Sequence, residues 1–488
     1  MFVSKHLSDI KTKYFSAGIG DHREQSRNTA NLFALLAFVF GVIFIYLNPP
    51  MVCPDENAHF LNICRISGGS IFADVQDGAI GSFITQDQAD FINNYYGRFQ
   101  GLGTEKYSFG EAYFLSHLNY TGDQRIFYGS DLSAINPAAY IIQSTGVFIA
   151  QNLFNITSPY NMLIWAKLFN LIFFIIVTRT AILKTPVFRN TMFLIALMPM
   201  TMYQCSSASY DCAVISGTFL LFAYASRLIL SDDDYKVSKE DIFAVCFSCA
   251  FIFSAKIAYA PLVLILLAVN RKKFGNLKRY IMCICSVIMT GIVFFVIPTA
   301  ITKFFTSGIS SDAPIVAQQH EYILSHIGLM PGVIIRTARD SLPFWINGFF
   351  GILGGLDINF PQPFIYLYLI VLLIYGVTEM CMAGKANLPV RILSFIGVSA
   401  FYAGTAMAMY AGWTPLVTGE VGGEYFTGIQ GRYFIPVALY VLIIFANPLL
   451  LKFKYSDKII DFQTTVSKYI VIGYLCLSCL VVFTKIWI

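Results

Sequence analysis

Eleven apolar runs, each long enough or nearly long enough to cross a bilayer, alternate with polar segments along this chain, at about residues 32–48, 161–180, 190–207, 211–230, 241–256, 258–271, 278–301, 363–382, 391–411, 432–451 and 467–486. Two of the intervening segments, about 49–160 and 302–362, are long. Each holds a further apolar stretch, 137–153 and 341–356, that would break the parity of the crossings if it spanned. Both stretches therefore predict membrane-associated or re-entrant helices inside large loops. Backbone at membrane depth is tolerated where protein or a water-filled cavity surrounds it, so these loops are expected to frame a cavity. The pair 241–271 offers only about 15 residues per crossing, which puts Lys256 at its bend. The pattern predicts an all-α polytopic membrane protein with about 11 transmembrane helices and two large loops.

Charge orients the pattern. With the N-terminus in the cytoplasm, the inner segments hold 22 of the 33 Lys and Arg residues, most densely at Arg271-Lys272-Lys273 with Lys278-Arg279. The large loops then lie on the extracytoplasmic side. A composition of 56% hydrophobic and 12% charged residues agrees with a multi-pass protein. The formal net charge of +5 is too small to suggest nucleic acid, and the sequence has no nucleic-acid motif, no Gly-rich phosphate loop and no Cys/His metal spacing. Eleven cysteines, most inside apolar runs, argue for packing rather than a disulfide framework, and Cys246-x-x-Cys249 falls in such a run. The run after the polar, basic first 30 residues has no small-residue cleavage site before Pro49-Pro50 and reads as an uncleaved anchor.

The unusual polar residues gather on the expected outer side. Asp55, Glu56 and His59 follow the first run in Cys53-Pro54-Asp55-Glu56-Asn57-Ala58-His59. Ser209-Tyr210-Asp211 lies between the third and fourth runs, Lys256-Ile257-Ala258-Tyr259 at the next outer bend, and Gln430-Gly431-Arg432-Tyr433 opens the tenth run. Acidic and basic groups at the lip of a bilayer are costly unless hydrated, paired or used. Together they suit group transfer from a lipid phosphate. Lys256 and Arg432 would hold the phosphate and the charge that grows on it, and a carboxylate would take a proton from an acceptor hydroxyl. No soluble cofactor is then required. Three hard carboxylates, Asp55, Glu56 and Asp211, leave a divalent metal open as an alternative, although two cations can do the same electrostatic work.

Each of these residues also has a plainer reading. Asp55 can cap the helix that carries His59 and Arg65, and Asp211 or Ser209 can cap the fourth span. Lys256 can snorkel, and His59 can serve a structural hydrogen bond. Arg336, Arg339 and Asp340 read as an amphipathic surface helix, and Lys167, Lys303, Glu105 and Glu111 as surface charges. The sequons at Asn119 and Asn155 carry little meaning without a glycosylating compartment.

Taken in order, P-x-D-E-x-x-H, S-Y-D, K-x-x-Y and Q-G-R-Y-x-x-P resemble the motifs of a bacterial family of multi-spanning membrane proteins of unassigned function, over about residues 35–450. That family looks like a branch of the GT-C glycosyltransferases, in which an acidic residue of the first outer loop is the base and another carboxylate often lies in the second. The resemblance implies Asp55 and Asp211 as catalytic carboxylates; the residues themselves add Glu56 to the catalytic group and His59, Tyr210, Lys256, Tyr259, Gln430, Arg432 and Tyr433 as substrate-binding candidates. A looser likeness, in length and layout, links the chain to phage-borne glucosyltransferases that modify O-antigen, which implies a donor-synthesising enzyme and a small flippase as partners.

The expectation is an inverting GT-C enzyme of a bacterial inner membrane, moving a hexose such as glucose from a polyprenyl-phosphate donor to a hydroxyl of a surface glycan or its lipid-linked precursor. Its parts would be a cytoplasmic tail (1–31), a catalytic transmembrane module (32–301), an outer loop with a re-entrant or interfacial helix (302–362), and C-terminal helices (363–488) with a Gly-rich outer loop at 412–431. A glycan polymerase or ligase using lipid-diphosphate substrates and a lipid-linked sugar transporter remain as alternatives. The first would usually need paired arginines. The second would place ionisable residues at mid-bilayer on broken, repeated helices.

Overall fold

The fold is seen in a computed structural model that describes residues 19–99, 105–118, 124–307, 314–382, 387–446 and 457–487. A long apolar helix, α1 (Ile19–Leu47), leads through a tight turn to α2 (Glu56–Ser67). The first large loop then carries β1 (Asp74–Gln76), β2 (Ala79–Thr85), α3 (Gln86–Tyr95), α4 (Phe109–His117), β3 (Arg125–Gly129) and α5 (Ile141–Phe154). The helices that follow are α6 (Pro159–Lys184), α7 (Arg189–Ala196), α8 (Pro199–Cys205), α9 (Asp211–Leu230) and α10 (Lys239–Ala255). A 3-10 segment (Ile257–Ala268) leads to α11 (Leu277–Gly291), which continues through a π turn into α12 (Ile297–Phe305). The second large loop contributes α13 (Pro314–Ser325) and α14 (Met330–Phe350), followed by α15 (Gln362–Met382), α16 (Leu388–Ala408), α17 (Thr414–Thr418), α18 (Ala438–Ile444) and α19 (Asp457–Ile486).

Among the described residues seven helical segments are long and apolar enough to cross a membrane, and they coincide with seven of the eleven expected crossings. The protein is a multi-pass membrane protein. The other four runs resolve into shorter pieces. Residues 190–207 break into α7 and α8 where Pro199 starts a new helix, because proline has no N–H to continue the previous ladder. Residues 241–271 form α10 and the 3-10 segment with Pro261 inside it, and the described part of 432–451 forms a 3-10 turn and the short α18. Residues 1–18 of the expected tail and Asn119 lie outside the described residues.

The first large loop holds strands as well as the helix expected in it. It holds a three-stranded antiparallel sheet in the order β1-β2-β3, with Val75 opposite Ile80 and Phe83 opposite Phe127. The stretch 137–153 becomes a 3-10 turn and α5, which packs on α6 and α2. The stretch 341–356 is the second half of α14 and a short strand, Ile352–Leu353.

Packing sets the centre. Of the seven spans, α9 is the most enclosed, wrapped by α6 and α10, while Leu277–Phe305 buries none of its apolar window. An apolar helix with no buried face belongs at the lipid-facing periphery. Helix α1 lies so close to α6 that a Cβ on Gly41 would sit 2.4 Å from a Leu171 methyl. At the end of the bundle away from α2, Phe188 opens α7 with φ 56 and no capping side chain. Glu379 of α15 supplies the cap, accepting bonds from Asn190 N (3.0 Å), Thr191 N (2.9 Å) and Thr191 Oγ1 (2.6 Å).

Candidate functional site

Asp55 is held in the left-handed region, φ 60 and ψ 13, immediately before α2. A non-glycine residue there costs energy unless its surroundings impose it. Asp55 and Glu56 consequently face opposite ways. The Asp55 side chain is 66% exposed and lies 3.2 Å from Arg432 Nη2. Glu56 turns inward and is completely enclosed. Its carboxylate pairs with Lys167 Nζ of α6 at 3.1 Å and accepts bonds from Met51 N (3.0 Å) and Ala208 N (3.2 Å). Lys167, which the sequence suggested as a surface charge, is 1% exposed. A lysine can be retained at that depth because Glu56 neutralises it. Glu105 is an exposed charge and Glu111 a partly enclosed one, and they clamp Arg98 at 2.5 and 2.7 Å.

Asp211 starts α9 after the Ser206–Tyr210 turn. That turn is fixed from below by Asn170 of α6, whose Nδ2 donates to the carbonyls of Ser207 and Ser209, both at 2.8 Å. Gln143 of α5 adds a bond to Ser209 O at 3.3 Å. Ser209 Oγ receives the Asp211 N–H at 3.1 Å, as a residue near a helix start is expected to do. The Asp211 carboxylate meets Lys256 Nζ at 2.7 Å, Gln204 Nε2 at 3.1 Å and Arg432 Nε at 3.5 Å. Lys256 stands at the break between α10 and the 3-10 segment, where its extended backbone (φ −147, ψ 99) marks the bend inferred from the sequence. Its ammonium lies 4.1 Å from the Tyr433 ring centre and 5.5 Å from that of Tyr210, cation–π distances that hold it without further hydrogen bonds.

Arg432 is the hinge of the group, bridging Asp55 and Asp211. Its side chain is only 4% exposed, yet Nη1 has no hydrogen-bond partner and Nε meets Asp211 only as a 3.5 Å ion pair. Gly431 allows that placement. A Cβ there would meet Trp345 O at 2.1 Å and Phe349 N at 2.2 Å, so the Q-G-R-Y turn lies directly on α14. Trp345 Nε1 donates to Ile429 O at 3.0 Å and ties the same surfaces together. Tyr259 donates to Tyr433 O at 2.9 Å and stacks on Phe401, while the Gln430 side-chain oxygen is buried without a partner. A small cavity lined by Gln204, Asp211, Tyr259, Arg432 and Tyr433 adjoins the charged group, with room for about one water molecule.

His59 sits one turn into α2, buried. Its Nδ1 shares a hydrogen bond of 2.9 Å with Tyr140 OH, and its ring meets the Tyr210 ring edge-on at 4.8 Å. Burial pushes its pKa down to about 4, with Asp55 and Asp211 pulling the other way. It is therefore a neutral imidazole supporting the tyrosine wall at ordinary pH.

The structure thus brings Asp55, Asp211, Lys256, Arg432, Tyr210, Tyr259 and Tyr433 together, with His59 and Gln430 just behind them. Glu56 is placed elsewhere, with its carboxylate enclosed and away from the Asp55–Arg432 pair. Gln204, Asn170 and Gln143 were not singled out in the sequence, and Lys167 was read only as a surface charge, since each is an isolated polar residue in an apolar stretch. Among the described residues no three His, Cys, Asp or Glu side chains are arranged to hold a metal ion. The arrangement offers two cations, one exposed carboxylate and one enclosed carboxylate at the end of a membrane bundle. It can bind an anion and accept a proton beside it.

No curated protein and no solved structure matches the chain. Residues 38–441 match the model of a family described as predicted membrane protein (DUF2142), a span that contains every residue of the site, and the chain belongs to that family.

Proposed function

We propose that the protein is an inverting, GT-C-type glycosyltransferase that moves a hexose such as glucose from a polyprenyl-phosphate carrier to a hydroxyl of a surface glycan or its lipid-linked precursor, on the outer face of a bacterial inner membrane. The observation that carries this reading is Arg432, a guanidinium almost fully buried whose Nη1 has no hydrogen-bond partner and whose Nε faces Asp211 only at 3.5 Å, beside an exposed aspartate. A buried donor left unmade is costly, so such a group is built for a partner that arrives. The donor's phosphate supplies acceptor oxygens of the right charge, and Lys256 adds a second cation.

The resting pairs suggest the sequence of events. When the phosphate engages Arg432, Asp55 loses its counter-ion and is left as a free carboxylate next to the sugar. It then takes the proton of the acceptor hydroxyl as that oxygen bonds to the anomeric carbon. The bond from that carbon to the phosphate oxygen breaks, and its electron pair leaves with the polyprenyl phosphate. A single displacement inverts the anomeric centre. Asp211 touches Lys256, Arg432 and Gln204, so in this reading it orients the cations rather than the acceptor. One arginine and one lysine suit a monophosphate leaving group.

The test is sugar transfer by membranes holding wild-type or Asp55→Asn protein, supplied with radiolabelled polyprenyl-phosphate glucose and the host's surface glycan precursor. Transfer by wild type with a loss of about 10²–10⁴-fold in the variant, at equal protein level, is the expected result for removal of a general base. Undiminished transfer by the variant would remove Asp55 from that role.

A further inference from the structure

We infer that the enclosed pair Glu56–Lys167 is a positioning device that fixes where the Asp55 carboxylate stands relative to Arg432. The inference rests on the reading of Asp55 as the base. Glu56 accepts backbone N–H groups from both segments that carry the acidic residues of the site. One of its oxygens accepts from Met51 N, in the turn that ends at Asp55. The other accepts from Ala208 N, in the turn that ends at Asp211, and is also the oxygen facing Lys167. The carboxylate is thus a staple between the two turns, and Lys167 of α6 is its counter-charge in an enclosed site.

The effect on Asp55 is direct, because the two residues are adjacent. With Glu56 pinned inward, the chain enters α2 through a left-handed Asp55, and that conformation turns its side chain outward onto Arg432. The Asp55 side chain does little to impose it, since it makes no capping bond to α2 and, at 66% exposure, meets only the buried Arg432. Remove the staple and the turn can relax to an ordinary conformation, in which the side chain leaves the guanidinium.

The expected consequence can be read without any transfer reaction. In an Asp55→Cys protein, a thiol held beside Arg432 ionises at lower pH than a free cysteine, whose pKa is about 8.5. Residue-specific alkylation by a membrane-impermeant iodoacetamide, followed by mass spectrometry of the peptide containing residue 55, reports that ionisation as a function of pH. With Glu56 and Lys167 present, the alkylation midpoint should fall about one unit below 8.5, so that labelling at pH 7 is roughly tenfold faster than for a free thiol. Adding Glu56→Gln together with Lys167→Met removes both charges without leaving either one buried alone, and the midpoint should return to about 8.5. The swap Glu56→Lys with Lys167→Glu restores a pair but leaves no carboxylate at residue 56 to receive the two N–H groups, and it too should lack the depressed midpoint.

An unchanged midpoint in the neutral double variant, in protein that elutes from gel filtration as wild type does, overturns the inference. So does recovery of the depressed midpoint by the swap, which would show that neutrality alone suffices. In the transfer assay the neutral pair with Asp55 intact should lower the rate and shift the acid limb of the pH profile, whereas a purely structural defect lowers the amount of active protein and leaves that limb in place. A staple seen by alkylation in a protein that transfers no sugar would keep the positioning and discard the glycosyltransferase reading.

Discussion

At the scale of single residues, the site is a ladder of alternating charges, and its one imidazole is kept out of the ladder. Asp55, Arg432, Asp211 and Lys256 are joined by contacts of 3.2, 3.5 and 2.7 Å. His59, one turn from Asp55, instead bonds Tyr140 and stays neutral. Burial lowers its folded-state pKa to about 4, below the ordinary value near 6.5. Its contribution therefore has a definite sign. Above about pH 6.5 the imidazole is neutral in both folded and unfolded chains, and stability is full. As pH falls from there toward 4 the unfolded chain takes up a proton that the folded one refuses, and stability is lost, on the order of 3 kcal/mol in total. A His59→Asn variant, which keeps a polar partner for Tyr140, should show a thermal midpoint in detergent that changes less between pH 6.5 and 4.5 than that of wild type. Equal slopes would mean that His59 already takes up its proton in the folded protein. The carboxylates and cations of the ladder stand out in the sequence because each interrupts an apolar run at its expected outer end. Lys167 does not, because a single lysine in an apolar helix gives no hint of a carboxylate waiting in another loop.

At the scale of elements, short and interrupted pieces carry the site. Asp55 precedes a 12-residue helix, Lys256 stands between α10 and a 3-10 segment, and Arg432 lies in a four-residue 3-10 turn. Hydropathy marks these stretches as apolar but does not say that 190–207, 241–271 and 432–446 are broken, since apolar content has no memory of the bonds a proline forbids. Pro199 and Pro261 are the visible clues. The small sheet in the first loop was hidden for a related reason. Its strands are three to seven residues long, and although β1 and β2 join through a tight Asp77-Gly78 turn, β3 pairs with β2 only across the intervening α3 and α4, so local alternation is too brief to register as a sheet. Contact between the Q-G-R-Y turn and α14 was also invisible, although the glycine is its signature. Gly431→Ala puts a methyl group against Trp345 O and Phe349 N, both main-chain atoms that cannot swing aside. The turn or α14 must shift, and Arg432 shifts with it. Transfer should fall at least tenfold and the thermal midpoint should drop, while Gly404→Ala, which meets nothing within 4 Å, should leave both unchanged. Full activity in Gly431→Ala would show that the docking of α14 does not set the position of Arg432.

At the scale of the whole molecule, orientation is the claim on which the proposed chemistry depends, and it rests on charge rather than on packing. The basic cluster at Arg271-Lys272-Lys273 lies in the connection between the 3-10 segment and α11, and Lys256, with the rest of the site, lies at the start of that 3-10 segment. The segment 231–238 between α9 and α10 leads to the same basic end, where Lys273 Nζ donates to Ser231 O at 2.7 Å. If cytoplasmic retention of Lys and Arg fixes the topology, Asp131 of the first large loop and Asp233 of that connection must lie on opposite sides of the membrane. Both are exposed, so a cysteine at either should fold unharmed. A membrane-impermeant maleimide added to cells with a permeable outer membrane but an intact inner one should label Asp131→Cys, and should label Asp233→Cys only after the inner membrane is opened. The reverse pattern would put Asp55 and Arg432 in the cytoplasm. A polyprenyl-phosphate sugar displayed on the outer leaflet could not reach them there, and a donor made and used on the inner side would have to replace it in the mechanism.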